Sequence, residues 1–170
     1  MCIRDRSHGE AGRDMAVALL AAGRRKVAYV GSALEKDLRA VKRKTAFAQV
    51  LAAQGLSFVA EQMDDAFSSI ALGKRLTARM LASDPDIDCI YYSNDDMAAG
   101  GLFTCMELGI AVPSQIVLAG FNGLDLTDTL PAPIATSKSP RRAMGEAAAR
   151  LITDLMGNAG KTGPKTIVFK

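Results

Sequence analysis

Two spacings of apolar side chains alternate along this chain, and this alternation predicts a succession of helices and strands. Apolar positions three or four residues apart predict a helix beginning at Glu10, a second over Leu38–Ala53 and a third over 72–80. Short uninterrupted apolar runs predict strands at Lys26–Val30 and Phe58–Ala60.

The stretch from Ile87 to Asn122 organises the rest of the chain. The run at 87–91 is short and bounded by turn residues, which favours a buried strand, and 116–121 has the same character. Between them, the polar residues at 93–96 suit the start of a helix, where side-chain oxygens accept from unpaired amides. Two buried strands around one helix form a βαβ unit, which implies a parallel sheet.

After a loop over 122–133, apolar positions within 144–155 predict a further amphipathic helix, and 166–169 predicts a last strand. The element order predicts an α/β fold with one parallel, Rossmann-like sheet. Right-handed crossovers would place every strand-to-helix turn at the same edge of that sheet. Open α/β sheets bind ligands at this edge, outside the carboxyl ends of the strands.

The turns at this edge offer polar and aromatic side chains, namely Ser32, Arg43, Phe67, Asn94 and Asn122. Arginine donates two parallel hydrogen bonds, asparagine both donates and accepts, and an aromatic ring can cover an apolar sugar face. This set favours the recognition of a hydroxyl-rich small molecule. It contains no nucleophile and no general base, so the sequence predicts a binding site and not an enzyme.

Composition narrows the class of protein. With 170 residues, of which 49% are hydrophobic and 23% charged, the chain can form a full-sized globular domain. A net charge of +3 does not by itself indicate a nucleic-acid surface, and no apolar run reaches the roughly 20 residues of a membrane span. Three scattered cysteines favour a reducing cytoplasm.

The residues present argue against several kinds of chemistry. The chain has no Gly-x-Gly-x-x-Gly string, no phosphate-binding loop and no Gly-x-Ser-x-Gly string. Its single histidine, close to the amino terminus, cannot support a catalytic triad. The paired aspartates at 64–65 and 95–96 lack further metal ligands nearby. We therefore expect neither a cofactor nor a metal.

Four segments match, in order and spacing, the strings of one known family. They are EAGR at 10–13 with GRRKVA at 23–28, RKTAF at 43–47, SNDDMAAG at 93–100, and VLAGFN at 117–122 with Pro131 and 134–137. Each string alone would be weak, but four in order over residues 8 to 157 are specific. The chain thus resembles the effector-binding domain of lactose-repressor (LacI/GalR) family transcription regulators.

The resemblance implies a type I periplasmic-binding-protein-like fold, with two α/β subdomains and an effector cleft between them. The family's effector-binding arginine falls on Arg43, although Ala46 replaces a glycine of that string, and its asparagine falls on Asn94. Its aspartate falls on Asn122, which keeps hydrogen-bonding capacity but loses the charge. Phe67 is expected to line the cleft.

The strings at 120–125 and 139–141 are similar to those of the gluconate-type branch of the family. A sugar acid is therefore an expected effector, with Arg141 as a partner for its carboxylate. Simpler interpretations stay open: Arg43 and Arg141 as solvated helix residues, Asn122 as a turn residue, and Asn94 and Asp95 as helix caps. Of the last two, we expect Asp95 to be mainly the cap and Asn94 to serve both purposes.

The resemblance also divides the chain. We interpret residues 1–7 as an artefact of assembled reads and expect a truncated family member that lacks the helix-turn-helix. The expected division is 8–25 as a fragment of the amino-terminal subdomain, 26–122 as the carboxyl-terminal effector subdomain, 123–139 as a crossover, 140–157 as an amino-terminal-subdomain helix and 158–170 as a return strand. The helices near 10–22 and 140–156 would then expose apolar faces.

The function implied by the resemblance is effector sensing in a cytoplasmic, DNA-binding regulator of carbohydrate metabolism. Operator DNA would be bound only through the missing head. A sugar-binding receptor of an ABC transport system, which shares the fold, is the alternative. A homodimer is expected, with a candidate face formed by Leu102, Phe103, Met106 and Leu130, for which core packing is the simpler interpretation.

Overall fold

The predicted alternation of helices and strands is present in the computed structural model, which describes residues 7–32 and 37–157. The elements are, in chain order, α1 (His8–Ala21), β1 (Val27–Ser32), α2 (Leu38–Ala53), β2 (Glu61–Asp64), α3 (Ile70–Ser83), β3 (Cys89–Tyr92), α4 (Asp95–Glu107), β4 (Val117–Asn122), β5 (Ala135–Lys138) and α5 (Arg141–Gly157). A short 3-10 helix, Asp125–Asp128, lies between β4 and β5.

The strands form one five-stranded sheet in the order β2-β1-β3-β4-β5, and every neighbouring pair is parallel. All residues of β1 and β3 are buried, whereas β2, at the edge, alternates between exposed and partly buried positions. Central strands covered on both faces need continuous apolar runs, which explains why the pattern predicted them well. The predicted α/β fold with a parallel sheet is confirmed.

Helices cover both faces of the sheet and create two separate cores. On one face α3 and α4 pack over alternate strand residues such as Ala28, Val30 and Ile90. On the other face α1 and α2 pack over the intervening residues, including Tyr29 and Tyr91. Successive strand side chains point to opposite faces, so each strand contributes to both cores.

Two strands differ from the sequence pattern, and both lie at edges of the sheet. The second strand begins at Glu61 and not at Phe58, although its pairing with β1 is prepared by a hydrogen bond from the Val59 amide to the Val27 carbonyl (2.9 Å). β5 was not predicted at all, since it is only partly buried and contains polar residues. Edge strands bury one side at most, so their sequences lack a clear apolar run.

The expectation of an exposed apolar face holds only in part. On α1 it is wrong, because Ala11, Met15, Ala16 and Leu19 are buried against α2 and the sheet. On α5, Ile152 and Met156 are exposed.

Of the expected artefact at 1–7, residues 1–6 lie outside the described residues, and Ser7 is the cap of α1. The expected strand at 166–169 also lies outside them. Within the part that the structure describes, no helix combines the length and the apolarity needed to cross a membrane.

Candidate ligand-binding site

The carboxyl ends of the strands form the edge at which the predicted ligand-binding residues lie. β1 ends at Ser32, β3 ends just before Ser93 and Asn94, and β4 ends at Asn122. β1, β3 and β4 are consecutive neighbours in the sheet, and neighbouring strands are about 4.8 Å apart. The fold therefore brings together residues that are up to ninety positions apart in the chain.

A cleft of about 370 Å³ opens at this edge. Its described lining combines hydroxyl, amide, charged and apolar groups from the ends of strands and the starts of helices: Ser32, Asp37, Leu38, Arg39, Phe67, Ser68, Ser93 and Asn94. The volume suits a small polyhydroxylated molecule, and the mixed lining suits one with polar groups and apolar ring or chain faces. Phe67, with 87% of its surface exposed, is one of these lining residues and lies at the rim of the cleft.

Arg43 reaches the same edge from α2, but it lies beneath the surface. Only 4% of it is exposed, and it is not among the side chains that line the cleft. Nη2 donates to the Ser93 carbonyl (2.9 Å), Nη1 donates to Nδ1 of His8 (2.9 Å), and Cζ lies 3.9 Å from the centre of the Phe121 ring. The guanidinium is thus fixed between the ends of β3 and β4, next to Asn94 and Asn122.

The electrostatic state of Arg43 reflects this position. Burial lowers the pKa of Arg43, while the neighbouring hydroxyl of Tyr91 acts in the opposite direction. Its Nε is buried and has no hydrogen-bond partner among the described residues. An arginine keeps its charge even after such a shift.

Asn94 is the cap of α4. Its backbone is extended (φ −158°, ψ 175°) and Oδ1 accepts from the Met97 amide (3.1 Å). The prediction that Asp95 is mainly the cap is wrong, because only the residue just before the first helical one has the extended backbone that turns its side chain back to the amide three residues on. Asn94 also lines the cleft, and its amide NH₂ takes no part in the cap.

Asp95 lies buried next to the cap residue Asn94 and does not line the cleft. It is fully buried and accepts from the Leu124 amide (2.9 Å) and from the Thr136 hydroxyl (2.7 Å). A Cβ on residue 120 of β4 would collide with this carboxylate, so Gly120 is needed for its close approach. Asp95 therefore joins the start of α4 to the segment that follows β4 and to β5.

Burial also gives Asp95 a testable titration. Desolvation raises the pKa of Asp95, and this outweighs the opposing hydrogen bonds from Leu124 and Thr136. A carboxyl group with a raised folded-state pKa contributes stability that is fully present below its unfolded pKa and is lost as pH rises through the folded one. The free energy of unfolding of the wild type, minus that of Asp95→Asn, should therefore be smaller at neutral pH than below the unfolded-state pKa of about 3.9. Urea denaturation of both proteins at a series of pH values measures this difference in the free energy of unfolding. A difference that rises with pH would contradict the prediction.

Asn122 ends β4 in an unusual backbone conformation, with φ at +120°. Its side chain is partly exposed, and its carbonyl accepts from the Ser139 amide (3.1 Å). Asparagine tolerates positive φ better than most residues. The conformation therefore fits a turn residue, and it is also compatible with a role of the side chain in ligand binding. The simpler interpretation as a turn residue and the ligand-binding one are compatible here.

Arg141 lies apart from the cleft, at the start of α5. Nη2 donates to the Gly123 carbonyl (2.9 Å), Nη1 makes a longer bond to the Asn122 carbonyl (3.4 Å), and Asp125 lies 3.9 Å away as an exposed ion pair. These contacts hold the segment after β4 and place Arg141 beside a second, open cavity of about 760 Å³. The structure does not bring Arg141 into contact with Arg43 or Asn94.

The residues predicted for a dimer face are divided between core and surface. Leu102 is only 1% exposed and belongs to the core between α4 and the sheet, so its assignment to a surface is wrong: it faces the sheet on the inner side of α4. Leu130 is partly buried against the same core. Phe103 (38% exposed) and Met106 (53% exposed) do lie on the outer side of α4.

The sequence alone did not single out His8. It opens α1, contacts Arg43 through Nδ1, and stands 5.6 Å from the Phe121 ring, centroid to centroid. A residue near a chain end carries no periodic signal of a tertiary contact. One available indication was its spacing of four from Gly12, which places both on one face of the helix. Within the described residues, no group of three or more His, Cys, Asp or Glu is arranged for metal binding.

Comparisons with known proteins agree with this architecture. A model of periplasmic binding protein-like domains matches residues 16–169. The HTH-type transcriptional regulator GntR of Pseudomonas aeruginosa is 38% identical over 152 residues, which cover 89% of this chain and 43% of that regulator. The chain therefore spans less than half the length of this curated relative.

Solved structures give the same result. A LacI family transcriptional regulator from Silicibacter pomeroyi superposes with a TM-score of 0.91 at 38% identity, over 96% of this chain and 49% of that one. The transcription regulator GntR from Chromobacterium violaceum superposes with a TM-score of 0.83 at 33% identity, over 92% of this chain and 58% of that one. The fold described above is thus similar to part of each of these two transcriptional regulators.

Proposed function

The chain belongs to the family of periplasmic-binding-protein-like domains, in the form found in LacI-type transcriptional regulators, and from this premise we propose that it senses a sugar or sugar-acid effector for a DNA-binding regulator. The proposal is supported by the position of Arg43, Asn94 and Asn122 at the carboxyl ends of neighbouring strands, where Asn94 lines a cleft of about 370 Å³. The regulators among its relatives support this reading over a transport receptor.

The roles follow from the geometry. Asn94 offers its amide to hydroxyl groups from the cleft wall, and Phe67 covers an apolar face of the effector from the rim. Arg43 supplies positive charge from beneath the edge, and Asn122 supplies an uncharged hydrogen-bonding group. Asp95 holds the segment after β4 in place. Arg141 belongs to this proposal as the group that fixes that segment next to an anionic effector.

The effector would act by changing a conformational equilibrium. In the proposed regulator a second subdomain closes over this edge, and the ligand shifts the spacing of two DNA-binding heads only as far as it binds one state more tightly than the other. Operator binding through a head outside this chain, action in the cytoplasm, and pairing of two copies through Phe103 and Met106 are parts of the same proposal. Sedimentation velocity would measure the pairing.

The charge of the effector can be tested with a matched pair of probes. D-gluconate and D-glucitol have the same carbon chain and differ in the terminal carboxylate. We expect the full-length regulator to bind gluconate at least about tenfold more tightly by calorimetry, since a hydrogen bond between charged groups is roughly twice as strong as a neutral one. Binding of neither probe would contradict the effector class, and equal binding would contradict the sugar-acid preference.

Asn122→Asp tests why an amide stands at this position. A carboxylate here would repel an anionic ligand, so affinity for gluconate should fall about tenfold while that for glucitol changes less than about threefold. Gln54→Glu, which adds the same charge at the exposed end of α2 on the opposite edge, is the control and should leave both affinities unchanged. Equal losses for both probes in Asn122→Asp would mean that residue 122 acts only through the backbone.

A further inference from the structure

We propose that His8 is a positioning residue of the effector site, which fixes the Arg43 guanidinium before the ligand binds. The inference rests on the proposed function, because it assigns a role within the same site. It starts from one contact, the 2.9 Å approach of Arg43 Nη1 to His8 Nδ1.

The direction of this hydrogen bond follows from chemistry. A guanidinium carries only donors, so Nδ1 of His8 must be the acceptor and must lack a proton. Neutral His8 therefore carries its proton on Nε2. The contact selects one tautomer of the imidazole, because the hydrogen bond made by one ring nitrogen determines whether the other nitrogen carries the proton.

Three contacts then define the position of the guanidinium. His8 accepts from Nη1, the Ser93 carbonyl accepts from Nη2 at 2.9 Å, and the Phe121 ring lies beneath Cζ at 3.9 Å. Two hydrogen bonds in the plane and one ring below it leave the group little rotational freedom. A long side chain that is already ordered loses less conformational entropy when a ligand binds.

The packing of α1 on α2 brings His8 within reach. Gly12 follows His8 by one helical turn on the same face, and a Cβ on Gly12 would collide with the backbone of Arg43, its Cα included (2.9 Å). The backbones of the two helices therefore lie close together at Gly12 and Arg43. Gly12 lies against the backbone of Arg43, and His8 contacts its guanidinium. Both ends of Arg43 are therefore in contact with α1.

Two substitutions distinguish the role of His8 as a hydrogen-bond acceptor from the packing of its ring. His8→Asn keeps an acceptor at the same number of bonds from Cα, whereas His8→Leu keeps bulk of similar shape and removes the acceptor. We expect His8→Leu to weaken gluconate binding by the full-length regulator about tenfold, and His8→Asn to stay within about threefold of the wild type. Thermal unfolding of all three proteins shows whether the fold is kept.

A second measurement reports which ring nitrogen of His8 carries the proton. Nitrogen chemical shifts of His8, identified by the signal that disappears in His8→Asn, should show Nδ1 unprotonated and Nε2 protonated in the free protein. The opposite tautomer would overturn the proposal. So would binding that is kept in His8→Leu and lost in His8→Asn, because that order indicates packing of the ring on Phe121. If the wild type binds no gluconate while the tautomer is as expected, the proposed function fails and the positioning of Arg43 stands.

Discussion

Gly100→Ala should lower the free energy of unfolding by about 3 kcal/mol, the upper end of the usual cost of overpacking. Gly100 lies on α4 where it meets α3, and an added Cβ would collide with the carbonyl oxygen of Ile70 and lie 2.6 Å from the amide nitrogen of Lys74. Gly73 on α3 faces the Met97 backbone in the same way. Both obstacles are backbone, so the helices must separate, and the core between them and the sheet must open.

Gly145→Ala is the matched control. Gly145 is exposed within α5, and a Cβ there meets nothing within 4 Å. Alanine is a better helix former than glycine by up to about 1 kcal/mol, so this variant should be neutral or slightly stabilised. Chemical denaturation measures both changes. If both substitutions change the free energy of unfolding in the same direction, close packing does not explain why glycine stands at position 100.

Arg43→Met should abolish most effector binding and also destabilise the fold. Loss of a hydrogen bond to a charged group typically costs about 1.5–3 kcal/mol, and in this site the charge toward the effector is lost as well. We expect gluconate affinity to fall more than about thirtyfold, with a loss of roughly 2 kcal/mol in stability because the Ser93 carbonyl loses its donor. Affinity of the full-length regulator for operator DNA should not change in the absence of effector.

Tyr92→Phe distinguishes the loss of a ligand contact from general destabilisation. The Tyr92 hydroxyl is bonded to the Thr77 hydroxyl (2.8 Å) in the core of the opposite face, so its removal should cost about 1–2 kcal/mol in stability. Effector affinity should remain that of the wild type. If Tyr92→Phe weakens gluconate binding as much as Arg43→Met does, or if Arg43→Met weakens DNA binding equally, then Arg43 is a structural residue.

The sequence was most informative where a segment is buried on both sides. The pattern predicted the helix over Leu38–Ala53 with its observed bounds, and the runs that became β1, β3 and β4. It was least informative at the edges of the sheet, where β2 begins three residues later than expected and β5 has no apolar run. An edge strand is defined by its pairing with a neighbour, and pairing is not visible in local sequence.

The same distinction applies to the site. Residue types and strings placed Asn94 and Asn122 directly after strands and Arg43 in the helix that follows β1, and a parallel sheet gathers the carboxyl ends of its strands at one edge. The depth and partners of each side chain were not accessible in this way. Arg43 is buried beneath the edge, Asn94 and not Asp95 caps α4, and Leu102 is in the core.

What the sequence determined by itself is therefore the order of elements as far as β4 and the edge at which binding groups collect, because periodicity and turn chemistry are local properties. What only the tertiary structure decided is how α1 packs on α2, which places His8 against Arg43, and how the segment after β4 closes on Asp95. Those contacts join residues from 29 to 41 positions apart. Their geometry depends on the distances of closest approach between whole elements, set by residues such as Gly12 and Gly120.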